Sequence, residues 1–568
     1  MATTEAQEVQ SPSESIEKHA PLQNQEPYRR KRDTAFWMVF VAGWACDMLS
    51  ALDFTAVSTA LPTIVEKLDG DDFIWAGSAY ALASTAFLPM CGGLASTFGR
   101  KPVLLVSIAS FALGSAICGA AQNMSMLIAG RALQGFGGGG CIAVTEIIYA
   151  DLVPLTERGF FLGINATVWA FSCGIGPPIG GALAGSGAWR WLFWLNIPVC
   201  GIAFALVFVF LRVKAPKASF KENMSKIDWI GNLFIIGSTA SIVLALTWGG
   251  LKHPWSSAQV ITPLCVGAAG IVCFFLIEIF WSSEPTVRFQ VSLNKMVLRV
   301  DLQMPWRFIA NRTSISGYLQ TLFHGIVCIA VVYYLPVYFQ AVTLASPIRS
   351  GVDMFGLAFT IAPFAIVTGA SVQISSKYRP QHYIGWILII IGFGLFSMLD
   401  IDSPRSWYIG FQTIMGIGLG AIWVGTQFPI LSPLPFSNNA RALAFFTFVR
   451  SFAQSWGVAI GGAILQNDLS HKLPPSFYSQ FPAGVQIAYG AIPKLPSLPP
   501  DEQLQARIAF VQTLKTLWRV MIVLSGVGLL TVLPMQEVPM KVVRDEQWDL
   551  EDDKRAPNVV DEKAGSEV

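Results

Sequence analysis

The stretch Phe171-Ser-Cys-Gly-Ile-Gly-Pro-Pro-Ile-Gly-Gly-Ala-Leu183 lies inside an apolar run that begins at Gly159. The run is long enough to cross a bilayer as a helix, which takes about 20 residues. Adjacent prolines and repeated glycines would break a helix in water. In a membrane they are tolerated, because neighbouring helices satisfy the freed backbone groups. Gly176 and Gly180 therefore predict a bare helix face on which another helix packs closely.

The whole chain shares this apolar character. Of its 568 residues, 53% are hydrophobic and 13% are charged, and the mean hydropathy is +0.52. The charged fraction is about half that of a soluble protein, which predicts an all-α membrane protein that crosses the bilayer many times. The net charge of +2 gives no sign of a nucleic-acid partner. The nine cysteines lie in apolar runs and the histidines are scattered, so we expect neither disulfides nor a metal site.

About fourteen apolar runs of spanning length set out the domain plan. It comprises a cytosolic tail, residues 1–33; a six-helix half, 34–213; a two-helix insertion, 214–282; a cytosolic linker, 283–313; a second six-helix half, 314–537, with a long external loop at 467–512; and a cytosolic tail, 538–568. Both halves contain a helix ending in Leu-Pro and, after the next helix, a basic turn with proline. Parallel repeats of this kind are typical of transporters built from two related halves.

Loop charge predicts the orientation. Basic residues are concentrated in alternate loops, as in Arg100-Lys101 and in Lys377 with Arg379, whereas an intervening loop carries Asp400 and Asp402. By the positive-inside rule, the basic loops and both termini are expected in the cytosol.

Four motifs resemble those of major facilitator superfamily transporters. Gly176-Pro177-Pro178-Ile179-Gly180-Gly181 resembles the antiporter motif of the fifth helix, although Ser172 replaces the family's leading glycine. Gly92-Gly-Leu-Ala-Ser-Thr-Phe-Gly99-Arg100-Lys101 resembles the loop between helices two and three. There Ser96 replaces the usual aspartate and Thr97 a basic residue, which removes the customary carboxylate from a cytosolic charge lock.

The other two motifs lie in the first and fourth helices. Leu127-Ile-Ala-Gly-Arg131-Ala-Leu-Gln-Gly-Phe-Gly137 resembles the fourth-helix motif with its buried arginine. Leu52-Asp53-Phe-Thr-Ala-Val-Ser-Thr-Ala-Leu-Pro62 resembles the first-helix motif of the drug:proton antiporters with fourteen helices. Trp189 to Pro198 is similar to the sixth-helix entry of that subgroup, whose members include fungal toxin-efflux proteins.

The resemblance implies a fold and a function. The fold would be two six-helix bundles with two extra central helices. The function would be export of a small organic molecule, such as a toxin, secondary metabolite or drug, in exchange for protons. No cofactor is implied beyond the proton gradient. The implied partners are the substrate and the lipid bilayer, without nucleic acid. We expect a monomer in the plasma membrane, with the vacuolar membrane as the alternative.

Charged residues inside the membrane are the candidate site, because each costs at least a few kcal/mol near the bilayer centre. The proton-coupling candidates are Asp53, Arg131, Asp47 and Glu146, and the substrate-cavity candidates are His324, Tyr318, Gln320 and Arg450. Helix rise places Asp53 and Arg131 roughly 13 and 10 Å below the outer membrane face, so the two could share a depth. Whether they form a static ion pair or carry a proton is open at this point.

Other functions find less support in the sequence than export does. Gly135-Phe-Gly137-Gly-Gly-Gly140 satisfies a dinucleotide-binding pattern, but it interrupts an apolar span where no strand precedes it. No Walker A sequence, histidine box or nucleophile motif occurs, so neither ATP hydrolysis nor an enzyme with catalytic residues is expected. Proton-coupled uptake of a nutrient or siderophore-like compound, and a transport-inactive membrane sensor, remain the alternatives.

Overall fold

The computed structural model describes residues 33–68, 74–212, 227–250, 253–280, 311–434, 438–481 and 490–540. Within these ranges the long elements are all α-helices, which confirms the predicted fold class. The first half, here the N-half, contains α1 (Thr34–Leu68), α2 (Ile74–Phe98), α3 (Arg100–Gly119), α4 (Met124–Leu152), α5 (Leu155–Gly185) and α6 (Trp191–Phe210, as Trp191–Trp194 and Asn196–Phe210). The insertion contains α7 (Trp229–Trp248) and α8 (Ala258–Phe280).

The second half, here the C-half, repeats the six-helix plan. It contains α9 (Arg312–Val337, continued by a π-helical turn, Tyr338–Val342), α10 (Pro347–Asp353 and Phe355–Ser375), α11 (Arg379–Phe396), α12 (Arg405–Gly425 and Gln427–Leu431), α13 (Asn439–Lys472) and α14 (Pro500–Leu530). The predicted cytosolic linker at 283–313 lies largely outside the described residues, as do most of both tails.

Eleven helices in the described ranges are long and apolar enough to cross a membrane. The predicted count of fourteen is compatible with this number, because α4, α8 and α11 are also helical. Helix α4 is not among the eleven because it lacks a sufficiently apolar stretch, and this has a physical reason. Most of its residues are buried against other helices, so it carries glycines and polar groups instead of a broad lipid-facing surface.

The proline-glycine stretch forms one continuous helix, as predicted. Helix α5 runs through Pro177 and Pro178 without a break and packs along α1 and α10. Near its start it meets the C-half at a point where neither helix has a side chain: a Cβ on Gly159 would lie 2.5 Å from the Cα of Gly369. The bare face of α5 therefore begins as an interface between the halves.

A second set of contacts between the halves is formed by α13, which packs against α2 and α4. We call this contact the seam; its facing residues are Thr85, Gly92 and Glu146 in the N-half and Ala444, Arg450 and Ser451 in the C-half. A Cβ on Gly92 would lie 2.8 Å from the Cβ of Ala444. Helix α7 packs on both α2 and α13, and α8 packs on α7, so the insertion lies across the seam.

We call the end of the bundle where α1 begins the terminus end and the opposite end the far end. At the terminus end, the last described residues form a strap, Met535–Met540, beneath the C-half. The backbone N–H of Gln536 donates to Thr313 Oγ1 at 3.1 Å, and the backbone N–H of Arg379 donates to Glu537 Oε1 at 2.9 Å. The strap thus joins the starts of α9 and α11.

The far end differs from the long loop expected at 467–512. Helix α13 continues to Lys472 and α14 begins at Pro500, with short helices at Pro475–Tyr478 and Ile492–Ser497 between them. Phe477 and Leu495 are fully buried in the core of the C-half. These apolar side chains explain the difference, because burying them favours a folded cap over an extended loop.

Nearby, the backbone N–H of Ile401 and the Lys515 ammonium lower the pKa of Asp400 below its ordinary value.

The orientation can be tested with single cysteines at the two ends. We expect Asp402→Cys, at the far end, to be labelled by a membrane-impermeant maleimide in intact cells. Lys377→Cys, at the terminus end, should be labelled only after permeabilisation, because its loop is basic. Labelling of Lys377→Cys in sealed cells would show that the orientation is inverted.

Candidate functional site

Asp53 and Arg131 form an ion pair deep in the N-half. Arg131 Nη1 contacts Asp53 Oδ2, and both side chains are almost completely buried. The structure thus brings together the two residues for which helix rise suggested a common depth. The guanidinium also lies over the Tyr80 ring, 4.6 Å from its centroid. A charge in this setting is stable only when it is paired and hydrogen-bonded.

Three further polar side chains complete the network around Asp53. Gln134 Nε2 donates to Asp53 Oδ1 at 2.8 Å, and Gln134 Oε1 accepts from Arg131 Nη1 at 2.6 Å. Asn196 Nδ2 donates to Asp53 Oδ1 at 3.2 Å and lies 3.4 Å from Ser115 Oγ. Sequence reasoning did not assign Gln134, Asn196 or Ser115 to the site. Gln134 and Asn196 lie inside motifs that were singled out, so their polarity within apolar runs was the available signal.

The antiporter motif supports this network from α5. A Cβ on Gly176 would overlap Thr55 Oγ1, two residues beyond Asp53 on α1. The close approach of α5 to α1 therefore requires glycine at position 176. In contrast, a Cβ on Gly181 would meet no atom within 4 Å, although it belongs to the same motif. Pro177 lies within α5, and Gly180 is buried.

A second charged centre lies at the seam, where the structure pairs one residue from each candidate set. Arg450 Nη1 on α13 donates to Glu146 Oε1 on α4 at 3.3 Å, and Thr447 Oγ1 donates to Glu146 Oε2 at 2.7 Å. The Arg450 guanidinium is 4.4 Å from the Trp423 ring centroid. Thr447 and Trp423 are site residues that sequence reasoning missed.

Asp47 lies next to this second centre. It is buried on α1, faces Glu146 of α4 and Asn165 of α5, and its Oδ2 accepts no hydrogen bond from the described residues. Thr145 Oγ1 on α4 is likewise buried without a partner among the described residues. An unsatisfied carboxylate oxygen in a low-dielectric interior is costly, and a proton bound to Asp47 Oδ2 would relieve that cost.

The remaining cavity candidates point into the C-half or toward its rim. Gln320 Oε1 accepts from the Trp386 indole at 3.1 Å and lies 2.6 Å from His382 Nδ1, inside the core of that half. His324 Nε2 lies 3.1 Å from the Leu419 carbonyl, and its ring packs edge-on against Trp423. Tyr318 donates to the Ala442 carbonyl at 3.3 Å, among apolar side chains of both halves.

The loop motif has its own ion pair at the terminus end. Gly99 adopts a φ of 91°, which other residues avoid, and so turns the chain from α2 into α3. Arg100 Nε donates to Asp151 Oδ2 at 2.8 Å, and Lys101 Nζ donates to the Phe208 carbonyl at 2.7 Å. Asp151 therefore supplies a carboxylate to Arg100 although position 96 is serine.

Fold and site together define a multi-pass membrane protein with two helical halves and paired charges buried inside it. Among the described residues, no cluster of histidine, cysteine or acidic side chains is suited to a metal ion. The sequence profile of the Major Facilitator Superfamily matches residues 43–458. The chain belongs to this superfamily.

Individual relatives match almost the whole chain. The efflux pump FUS6 of Gibberella fujikuroi is 36% identical over 549 residues, which cover 95% of this chain and 96% of the pump. The MFS-type efflux pump LUC4 of a Fusarium species is 36% identical, covering 93% of this chain and 92% of that pump. Among solved structures, the proton:xylose symporter XylE aligns with a TM-score of 0.52 at 14% identity, covering 85% of this chain and 95% of XylE. This likeness shows the fold.

The Asp53–Arg131 pair can be tested by comparing single and double variants. Arg131→Gln should destabilise the protein by about 3–5 kcal/mol, because it leaves a buried carboxylate without its counter-charge. Asp53→Asn combined with Arg131→Gln should recover most of this loss. Thermal unfolding of the purified protein measures both effects. Lys472→Gln, which breaks the more exposed pair with Asp468, is the control and should cost less than about 1 kcal/mol. A double variant as unstable as Arg131→Gln would contradict the interpretation.

The close approach at Gly176 predicts a difference between two glycines of one motif. Gly176→Leu should reduce transport at least about tenfold, because the new side chain forces α5 away from Thr55 and so perturbs the Asp53 network. Gly181→Leu should transport normally, since it meets open space. Both variants should insert to the same level on immunoblots of the membrane fraction. Equal transport by the two variants would argue against a tight contact at Gly176.

Proposed function

We propose that this protein exports small organic molecules in exchange for protons. The observation that carries the proposal is its similarity, over nearly its whole length, to proteins named efflux pumps. The fold supports it, because two related halves around a central interface can expose a substrate site alternately to either side of a membrane. We also propose the plasma membrane as its location, the monomer as its form and the proton gradient as its sole energy source.

Buried charge supports the exchange of protons for substrate. Asp53, Asp47 and Glu146 are carboxylates inside the helical bundle, where a change of protonation alters the local charge balance by a full unit. Arg131 and Arg450 are the counter-charges of Asp53 and Glu146. An arrangement of this kind can link the conformation of the halves to proton binding, because pairing and protonation compete for the same carboxylate oxygens.

We place the substrate between the two halves, in contact with both. The Trp423 ring lies between Arg450 and His324, so it joins the charged seam to the polar interior of the C-half. Aromatic side chains continue along α13: the rings of Phe448 and Phe452 are 5.6 Å apart, and Trp456 follows Phe452 at 6.3 Å. Such a row offers stacking and apolar contact to a ligand of small organic type.

A flux experiment tests the proposal. Compounds that inhibit a strain deleted for this gene more strongly than its parent identify substrates. The full chain, reconstituted in proteoliposomes with an acidic interior, should accumulate such a compound, and a protonophore should abolish the accumulation. Asp468→Asn, at the more exposed pair with Lys472, should behave as the unaltered chain does. Accumulation only with an acidic exterior would indicate proton-coupled uptake, and no flux in either direction would overturn the proposal.

A further inference from the structure

The Glu146 carboxylate accepts two hydrogen bonds from described residues, and both of them cross the seam. Its Oε1 accepts from Arg450 and its Oε2 from Thr447, so α4 of the N-half is tied to α13 of the C-half at one side chain. Glu146 and Arg450 are 7% and 9% exposed, which leaves little solvent to screen their attraction. Any movement that separates the halves at the seam must break this ion pair.

Contacts within the C-half hold the Arg450 side chain in place. Its guanidinium lies 4.4 Å from the Trp423 ring centroid and 4.2 Å from that of Phe446, and Nη2 donates to the Trp423 carbonyl at 3.5 Å. These contacts would hold the cation in place after the pair breaks, since aromatic faces stabilise a cation. No hydrogen bond from a described residue of the N-half supports the Glu146 carboxylate, so separation penalises Glu146 in particular.

Two other contacts across the seam join uncharged groups. Thr85 and Ser451 share a hydrogen bond of 2.6 Å between their hydroxyls, and Gly92 touches Ala444 through apolar atoms. Either contact can be exchanged for water at small cost. Of these three contacts, the Glu146–Arg450 ion pair is therefore the one most sensitive to protonation.

The Asp53 network contrasts with this arrangement. Its counter-charge, Arg131, and its amide partners, Gln134 and Asn196, all lie in the N-half, so rocking of the halves leaves them together. Asp53 thus fits a structural role, and the pair that crosses the seam fits a coupling role.

We propose that Glu146 is the proton-binding group whose ion pair with Arg450 holds the seam closed, and that protonating it opens the seam toward the terminus end. The inference rests on the proposed function and assigns the coupling step to one residue. The proton adds to a carboxylate oxygen of Glu146, while Arg450 keeps its own proton and its charge. The pair changes from neutral to singly positive, and its attraction is lost.

This step gives a closed exchange cycle. A proton that arrives from the far end neutralises Glu146, and the halves separate at the terminus end. Release of the proton there leaves Glu146 ionised, and the returning pair with Arg450 draws the seam shut as substrate is carried outward. Breaking the ionised pair without a proton would leave two uncompensated charges, which costs several kcal/mol.

Several titratable groups face this pair and belong to the same electrostatic unit. Asp47 on α1 and Tyr149 on α4 face Glu146. His324 and Cys328, both on α9, face Arg450 from the C-half. Asp47 Oδ2 accepts no hydrogen bond from the described residues, so Asp47 can hold the proton on its way to Glu146.

Alkylation at the seam tests the proposal without a substrate. Thr85→Cys places a thiol where the closed seam leaves 1% of the native side chain exposed. Its modification by a maleimide, in the full chain in nanodiscs, is followed by mass spectrometry of that peptide. The alkylation rate of the Thr85→Cys chain that also carries Glu146→Gln is divided by the rate of the Thr85→Cys chain with Glu146 intact at the same pH. Thiol ionisation affects both rates equally and so cancels in the ratio. We expect a ratio of at least about ten near pH 8, falling toward one in acid as Glu146 itself becomes protonated.

Two variants make the test specific. Arg450→Gln should also raise alkylation near pH 8, but it keeps Glu146 and hence a dependence on pH. Glu146→Gln should show no dependence of the alkylation rate on pH beyond the dependence that thiol ionisation causes. Asp468→Asn, which removes a more exposed carboxylate of α13, should leave the rate unchanged. The same variants with native Thr85 are assayed in proteoliposomes, where Glu146→Gln should lose dependence on the pH gradient.

The outcomes separate this inference from the proposed function. A ratio near one at every pH, or an intact chain whose seam stays equally protected in acid, would overturn the role of Glu146. If the intact chain exports compounds while the ratio stays near one, the inference fails and the proposed function stands. If the ratio behaves as expected but no compound is moved in either direction, the seam is proton-sensitive and the export proposal fails.

Discussion

The cost of placing charge in a low-dielectric interior governs this molecule. Asp53 and Arg131 lie among helices that could bury neither residue alone, and each is stable because the other is present. The pair needs α1 and α4 in a fixed relation, and Asn196 adds α6 to the same network. Glycines let the helices approach closely enough for these short side chains to meet. Close packing and charge burial thus depend on each other in the N-half.

The two halves differ in how their buried polar side chains are paired. In the N-half, Asp53 and Arg131 are matched within one bundle. In the C-half, the interior holds neutral polar chains, with Gln320 joined to His382 and Trp386. Arg450 differs from these groups, because it finds its carboxylate on the other side of the seam. The Asp53–Arg131 pair is therefore complete within one half, whereas Glu146 and Arg450 each find their counter-charge in the other half.

Much of the fold could be predicted from the sequence. Spans follow from apolar length, and the continuous helix through Pro177 and Pro178 follows from the tolerance of a membrane for such residues. Helix rise predicted a common depth for Asp53 and Arg131, but their contact also depends on how α1 and α4 are rotated about their axes. The cap at the far end did not follow, since prolines and polar residues between 467 and 512 hid the buried Phe477 and Leu495.

The candidate site was predicted less completely. Residue types within apolar runs identified Glu146 and Arg450, but their pairing depends on the rotation of α4 and α13 about their axes. The same is true of Gln320, whose side chain turns into the C-half. A helix with apolar residues on every side gives no signal for which face meets a neighbour. Gln134, Asn196 and Thr447 were missed because neutral polar residues carry a smaller penalty in a membrane than charges and attract less notice.

The strap at Met535–Met540 affects the order in which the two halves can fold during synthesis. It joins the beginnings of α9 and α11 through residues that follow all the described spanning helices in the sequence. During synthesis the N-half can assemble while the ribosome is still translating the rest. The C-half instead waits for nearly the last described residues before its terminus end is complete. An incomplete chain would therefore present open backbone donors at Tyr378 and Arg379, a mark by which quality control could distinguish unfinished protein from finished protein.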